Sequence, residues 1–246
     1  MSWAPGYREW PPPRQLRRGL ACLWVQIIPA GRPQLTLVLP DGCTDLIWQQ
    51  DHGAFIAGPD TGPVPAYLPA GTVLVGARFR PGAGGPALGL PLSEILDQRV
   101  DWVDVGRARA RWLPGALGPD EAGERLARLA DALLSDRPPD GLVLHAARLL
   151  AAPRTTVDAL GRELQLSERQ LRRRFQAAVG YGPKTLQRVL RFRQVLSALD
   201  AGHGEGELAQ LAFEAGYSDQ AHLTRETVRL AGLPPAALAR TRIAST

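Results

Sequence analysis

The sequence predicts an α+β chain: a β-rich N-terminal sheet or small barrel, then an all-α domain with two helix-turn-helix units joined by a helix. Three observations carry this expectation. The six tryptophans all stand at or before position 112, in a stretch dense with proline and glycine. Beyond Pro119 the apolar residues change from short runs to helical spacing. The C-terminal part also repeats itself at a fixed offset, the signature of two copies of one structural unit.

In the first part, the runs "LTLVLP" (35–40), "DLIW" (45–48), "FIAG" (55–58) and "TVLVGARF" (72–79) are separated by turn pairs such as Asp41-Gly42 and Pro81-Gly82. Short apolar runs at this spacing predict antiparallel strands. A short helix is expected at "SEILDQ", with Ser93 as its N-cap. With 45% hydrophobic and 22% charged residues, the 246-residue chain has a globular composition. No apolar run reaches the roughly 18 residues needed to span a bilayer. The start, "MSWAPGYREWPPPRQLRRGL", has no continuous apolar segment before a cleavage site, so a cytoplasmic protein is expected. Cys22 and Cys43 allow at most one bridge and are expected to be reduced.

The segment "PDEAGERLARLADALLSD" puts Leu126, Leu129, Leu133 and Leu134 on one helical face, to pack on its own domain or to form a dimer seam. "DRPPD" (136–140) breaks the pattern. The expected domains are therefore a β-rich part at residues 1–118, a helix and linker at 119–139, and a helical domain at 140–246, opening with a helix at 141–152.

The repeat has an offset of 52 residues. Gly180, Pro183, Leu186 and Arg188 recur as Gly232, Pro235, Leu238 and Arg240, while Leu171 and Arg173 recur as Leu223 and Arg225. In the first copy Thr155 and Asp158 are expected to cap a helix carrying Val157, Leu160 and Leu164. Ser167 and Gln170 are expected to cap the next, with Leu171, Phe175 and Val179 inward. A helix, a tight turn and a second helix make the helix-turn-helix pattern. The apolar stripe of "KTLQRVLRFRQVLSALDAG" (184–202) predicts one helix joining the two units.

Charge follows the same division. Residues 1–154 carry 16 basic and 15 acidic side chains, and residues 155–246 carry 13 and 9. Between Arg162 and Arg193 there are 9 basic and 2 acidic residues. A basic segment in a balanced chain points to a polyanionic partner.

The residues "LSERQLRRRF", "VGYGP", "AFEAGYSDQAHLTRE" and "AGLPP" resemble the AraC/XylS family of transcription regulators over roughly residues 140–242. The resemblance implies double-stranded DNA as the partner. Arg169, Arg172 and Arg173 are then expected at base edges, with Gln220, His222, Thr224 and Arg225 at the matching positions of the second unit. Arg174, Lys184 and Arg188 are expected on phosphates. Arginine's planar fork suits guanine O6 and N7, and it also binds phosphate. The chain departs from the family at Thr227, where a phenylalanine matching Phe175 is usual, and at Ala221. The second unit is thus expected to pack more loosely and read fewer bases.

In this family the neighbouring domain senses a small molecule or dimerises. Trp24, Trp48, Phe55, Arg78 and Phe79 are the candidate lining of an effector pocket, against the plainer reading that the aromatics are core. The segments "PDGCTDLIW", "AGPDTG" and "GARFRPGAG" resemble N-terminal domains of such regulators. No cofactor and no metal site are expected: His52 is the only histidine before His145, and two cysteines cannot form a four-thiolate site. An enzyme built on Cys43 with Asp41 and Asp45 is disfavoured, because Asp41-Gly42 reads as a turn. The expectation is a regulator controlled by an unidentified effector, with a second copy of the chain and RNA polymerase as further candidate partners and no membrane. The alternative is a ligand-independent regulator whose N-terminal domain only dimerises or binds protein partners.

Overall fold

The computed structural model describes residues 4–105, 116–153, 155–202 and 207–243. Eight strands come first: β1 (Gly6–Trp10), β2 (Leu20–Ile27), β3 (Gln34–Val38), β4 (Thr44–Gln49), β5 (Gly53–Ala57), β6 (Val64–Leu68), β7 (Val73–Phe79) and β8 (Arg99–Asp101). Six form an antiparallel sheet in the order β1-β2-β7-β4-β5-β8, and β3 pairs with β6 as a separate ribbon. The sheet does not close into a barrel. The four runs read from the sequence become β3, β4, β5 and β7. The end of the tryptophan-rich stretch at Trp112 lies outside the described residues.

Strand alternation gives the large sheet two unlike faces. Leu23, Val25, Leu46, Trp48, Ile56, Val75, Ala77 and Phe79 pack in one core with Leu126, Leu129 and Leu133 of the helix α3 (Pro119–Asp136). The two short helices α1 (Gly84–Leu88) and α2 (Trp102–Val105) come before it in the chain. The apolar face of α3 is therefore spent on its own sheet, the first of the two uses the sequence left open.

The opposite face carries Cys22, Trp24, Ile47, Phe55, Ala57 and Leu74. A polar cluster sits among them. Trp24 Nε1 donates to Asp45 at 2.8 Å, Arg78 Nε donates to both Asp45 oxygens at 3.1 and 3.2 Å, and Arg78 also reaches Asp41 at 3.5 Å. Burial raises the Asp45 carboxyl above its ordinary value, and Arg78 opposes the rise. Both cysteines are buried free thiols. Burial pushes Cys22 up to about 12 and Cys43 well above its ordinary value, so neither supplies a thiolate at neutral pH.

One local expectation fails. "SEILDQ" forms only a 3-10 turn at Leu92–Glu94, because the chain leaves helical geometry at Ile95 and Asp97 is left-handed, with φ of 58°. The helix in this region is instead α1, whose residues are GGPAL. Its glycines oppose the helical state by propensity, so packing specifies it. No helix among the described residues is long and apolar enough to cross a membrane.

The C-terminal part is helical: α4 (Gly141–Leu150), α5 (Val157–Glu163), α6 (Glu168–Val179), α7 (Pro183–Asp200), α8 (Leu208–Glu214), α9 (Gln220–Ala231) and α10 (Pro235–Ile243). They share one core, with Leu186, Val189, Phe192, Val195 and Leu199 of α7 along its middle. This core adjoins the N-terminal domain at a tight seam. A Cβ on Gly85 of α1 would lie 2.3 Å from the Ala177 carbonyl oxygen of α6.

Replacing Arg78 with alanine strands a buried carboxylate beside Trp24. We expect a loss of about 3 kcal/mol in unfolding free energy, read as a lower urea midpoint at unchanged slope. Asp45→Ala in the same chain recovers part of that loss.

Candidate nucleic-acid interface

The first unit consists of α5, a turn and α6. The capping residue of α5 is Thr156, whose hydroxyl accepts from Ala159 N at 3.1 Å, and not Thr155 as the sequence suggested. The Thr156 side chain is the one placed three residues before an amide of the first turn, which is the reach an N-cap needs. Gln165, at φ 53°, turns the chain toward α6.

Ser167 and Gln170 form the expected reciprocal cap. Ser167 Oγ accepts from Gln170 N at 3.3 Å, and Gln170 Oε1 accepts from Ser167 N at 2.9 Å. Leu171, Phe175, Ala178 and Val179 fill the core. With that stripe inward, Arg169 and Arg173 stand four residues apart on the outermost ridge, and Arg172 and Arg174 occupy its two flanks. All four are exposed.

Their partners separate them. Arg174 Nη1 donates to Asp140 at 2.9 Å, and Asp140 also caps α4 by accepting from Leu142 N and Val143 N. Arg173 and Arg174 line a cleft of about 740 Å³ against Pro86, Leu90 and Arg137.

The second unit is α8, a turn through Gly216, and α9. Asp219 caps α9 by accepting from His222 N at 2.7 Å, a bond that holds its carboxyl below the ordinary value. Asp219 stands 52 residues after Ser167, so the repeat itself carried the signal for this cap. His222 folds back onto its own turn. Its Nδ1 lies 3.1 Å from Ser218 Oγ, and its ring meets Tyr217 edge-on at 5.2 Å. Thr224 Oγ1 donates to the Gln220 carbonyl at 2.9 Å. Gln220 and Arg225 are both exposed.

Thr227, at the position of Phe175, is fully buried, and its hydroxyl donates to the Leu223 carbonyl at 2.9 Å. A smaller side chain thus fills this site without an unpaired polar group. Of the phosphate candidates on α7, Lys184 is exposed, whereas Arg188 is held by Glu226 at 2.5 and 3.1 Å. Two further carboxylates, Asp140 and Glu226, hold Arg174 and Arg188. Asp140 precedes an apolar helical run and carried a cap signal, but nothing local marks Glu226 as the partner of Arg188.

The effector-pocket candidates are not brought together. Trp24, Phe55 and Arg78 share one face of the sheet, while Trp48 and Phe79 are fully buried on the other, under α3.

Residues 160–241 match the family described as "Helix-turn-helix domain", and residues 8–101 match "Domain of unknown function (DUF6597)". No curated protein sequence matches the chain. Among solved structures, ToxT from Vibrio cholerae O395 is similar at 10% identity and a TM-score of 0.45, covering 89% of this chain and 96% of that one. Unsaturated fatty acid-bound wild-type ToxT from strain SCE256 of the same organism is similar at 10% identity and a TM-score of 0.43, covering 88% and 94%.

Glu226→Ala leaves Arg188 unpaired at a partly buried site. We expect about 1–3 kcal/mol of lost stability, measured by chemical denaturation. Thr227→Val is expected to be close to neutral in the same assay, because the Leu223 carbonyl keeps its helical partner.

Proposed function

The chain is a DNA-binding transcription regulator with an AraC-type helix-turn-helix domain, and from that premise we propose that α6 and α9 read successive major grooves on one face of promoter DNA. One observation carries the reading: α6 is the capped second helix of a matched unit, with its apolar stripe buried and four arginines exposed. An α-helix fits the major groove, and residues of its first turns reach base edges. The joining helix α7 has 18 residues and so spans about 27 Å, a length comparable with one turn of DNA.

In this proposal Arg169, Arg172 and Arg173 contact bases, with Gln220 and Arg225 as the freest readers of the second unit. His222 and Thr224 shape the start of α9 through their local bonds. Lys184 contacts phosphate, while Arg174 and Arg188 aim the helices through their carboxylate partners. The N-terminal domain senses an effector on the face that carries Trp24, Phe55 and Arg78.

Arg172→Ala and Arg173→Ala are each expected to cost about 1–3 kcal/mol of specific binding where they touch bases, and to flatten the salt dependence where they touch phosphates. The target is a promoter fragment found by genome-wide mapping in the host. Unchanged binding by the double variant overturns the assignment. Thermal-shift screening of the full chain against metabolites tests effector control, since a ligand stabilises by mass action.

A second reading has its own observation. On the β3–β6 ribbon, Leu35 and Tyr67 are cross-strand partners, 74% and 66% exposed. An exposed apolar ridge suits self-association. If the N-terminal domain acts by dimerising, Leu35→Glu shifts the sedimentation coefficient of the full chain from dimer to monomer.

A further inference from the structure

The segment "AGPDTG" has no part in the reading so far, and the structure gives it an unusual place. Residues 58–63 connect β5 to β6, and one end meets each helix-turn-helix unit. A Cβ on Gly180 would lie 2.5 Å from the Pro59 ring, and a Cβ on Gly232 would lie 3.6 Å from the Pro63 ring. Gly180 and Gly232 are the same residue of the repeat. Each ends a reading helix in the left-handed conformation, with φ of 94° after α6 and 72° after α9. One short loop of the N-terminal domain therefore borders equivalent points of both reading helices, closely enough at Gly180 to exclude a Cβ.

The loop is braced along its length. Gly58 N donates to the Gln98 carbonyl at 2.9 Å and Asp97 N to the Pro59 carbonyl at 3.1 Å. Thr61 donates from its amide and its hydroxyl to Asp97 at 2.6 and 2.8 Å. Arg99 holds both oxygens of the buried Asp60 at 2.9 and 2.8 Å, the bidentate geometry that best fixes an ion pair. Four Cα steps of at most about 3.6 Å keep Pro59 and Pro63 within roughly 15 Å of each other. A short, cross-braced segment is a strut and not a tether.

Resting on the proposal that α6 and α9 read DNA, we infer that Pro59 and Pro63 are positioning residues that set the separation and pitch of the two reading helices. The β5–β6 loop thereby determines which spacing between two DNA elements the protein accepts.

The test uses the full chain and two variants. Pro63→Gly removes the ring that faces the end of α9 at Gly232. Asp97→Gly with Pro63→Gly also releases Thr61, and glycine suits the positive φ of Asp97. Spin labels on Glu168→Cys and Gln220→Cys, the first residues of α6 and α9, report the helix separation in the absence of DNA. The expected result is one narrow distance in the parent chain and a broadened or displaced one in both variants. On duplexes with one or two base pairs inserted or removed between the two elements, the parent is expected to lose at least about tenfold in affinity, and the variants about threefold or less. Binding to a single element stays unchanged. Should the double variant not fold, Pro63→Gly alone decides. An unaltered label distance, or unaltered spacing selectivity, overturns the strut. A parent chain that binds no duplex specifically overturns the DNA-reading proposal instead, and the label distances still decide the strut.

Discussion

The arrangement depends on one close approach, that of α1 to α6 at Gly85. A Cβ there would lie 2.3 Å from the Ala177 oxygen and 3.0 Å from the Ala178 Cα, so two backbones meet with no side chain between them. Such a contact leaves α6 no freedom to rotate about its own axis without separating the domains. Around it the end of the first unit is enclosed on other sides as well. Gly42 of the N-terminal domain lies against Leu186 and Tyr181, and Gly180 lies against Pro59 and the Leu92 carbonyl. The direction in which Arg169 and Arg173 point is thus fixed by the N-terminal domain as much as by their own unit.

The second helices of the two units are secured by the same device with opposite polarity. At one position of the repeat, α6 has Arg174 and α9 has Glu226. Arg174 ties α6 to Asp140 at the start of α4, and Glu226 ties α9 to Arg188 in α7. Each of these helices is held on its flank by the helix that leads into its unit. The asymmetry has a consequence for charge. The first unit uses one of its four arginines for the tie and keeps three, whereas the second neutralises Arg188 and presents Gln220 and Arg225. Its core adapts in the same spirit: Thr227 replaces an aromatic ring, and its hydroxyl returns to the Leu223 carbonyl.

What the sequence reveals follows how local each determinant is. The Ser167/Gln170 cap, the stripe of α3, the joining helix and the repeat are set by residues within a few turns of one another, and all could be read. The four strand runs were legible for the same reason. The 3-10 turn at Leu92 and the helix at Gly84 were not, because Asp97 and Gly85 take their conformations from distant partners, Thr61 and Ala177. The effector-pocket set mixed two faces of one sheet. Alternation within β2 or β4 separates neighbours along a strand, but only the registers of β2 on β7 and of β7 on β4 show that Trp24 and Arg78 share a face that Trp48 does not.

Two routes connect the N-terminal domain to the helical domain, and their magnitudes differ. The polar route runs from Trp24 through Asp45 and Arg78 to Asp41, whose carbonyl accepts from Arg193 of α7 at 3.4 Å. That last bond is exposed and beyond the usual N–H···O range, so it contributes well under about 1 kcal/mol. The steric route runs through three glycines packed too closely to admit a Cβ, Gly85 against Ala177, Gly180 against Pro59 and Gly42 against Leu186. Close-packed contacts resist displacement steeply, whereas a long exposed hydrogen bond yields to water at little cost. The loop at Asp41–Cys43 joins the two: Arg78 grips Asp41, and Gly42 lies against Leu186 of α7 and Tyr181 in the turn that follows α6.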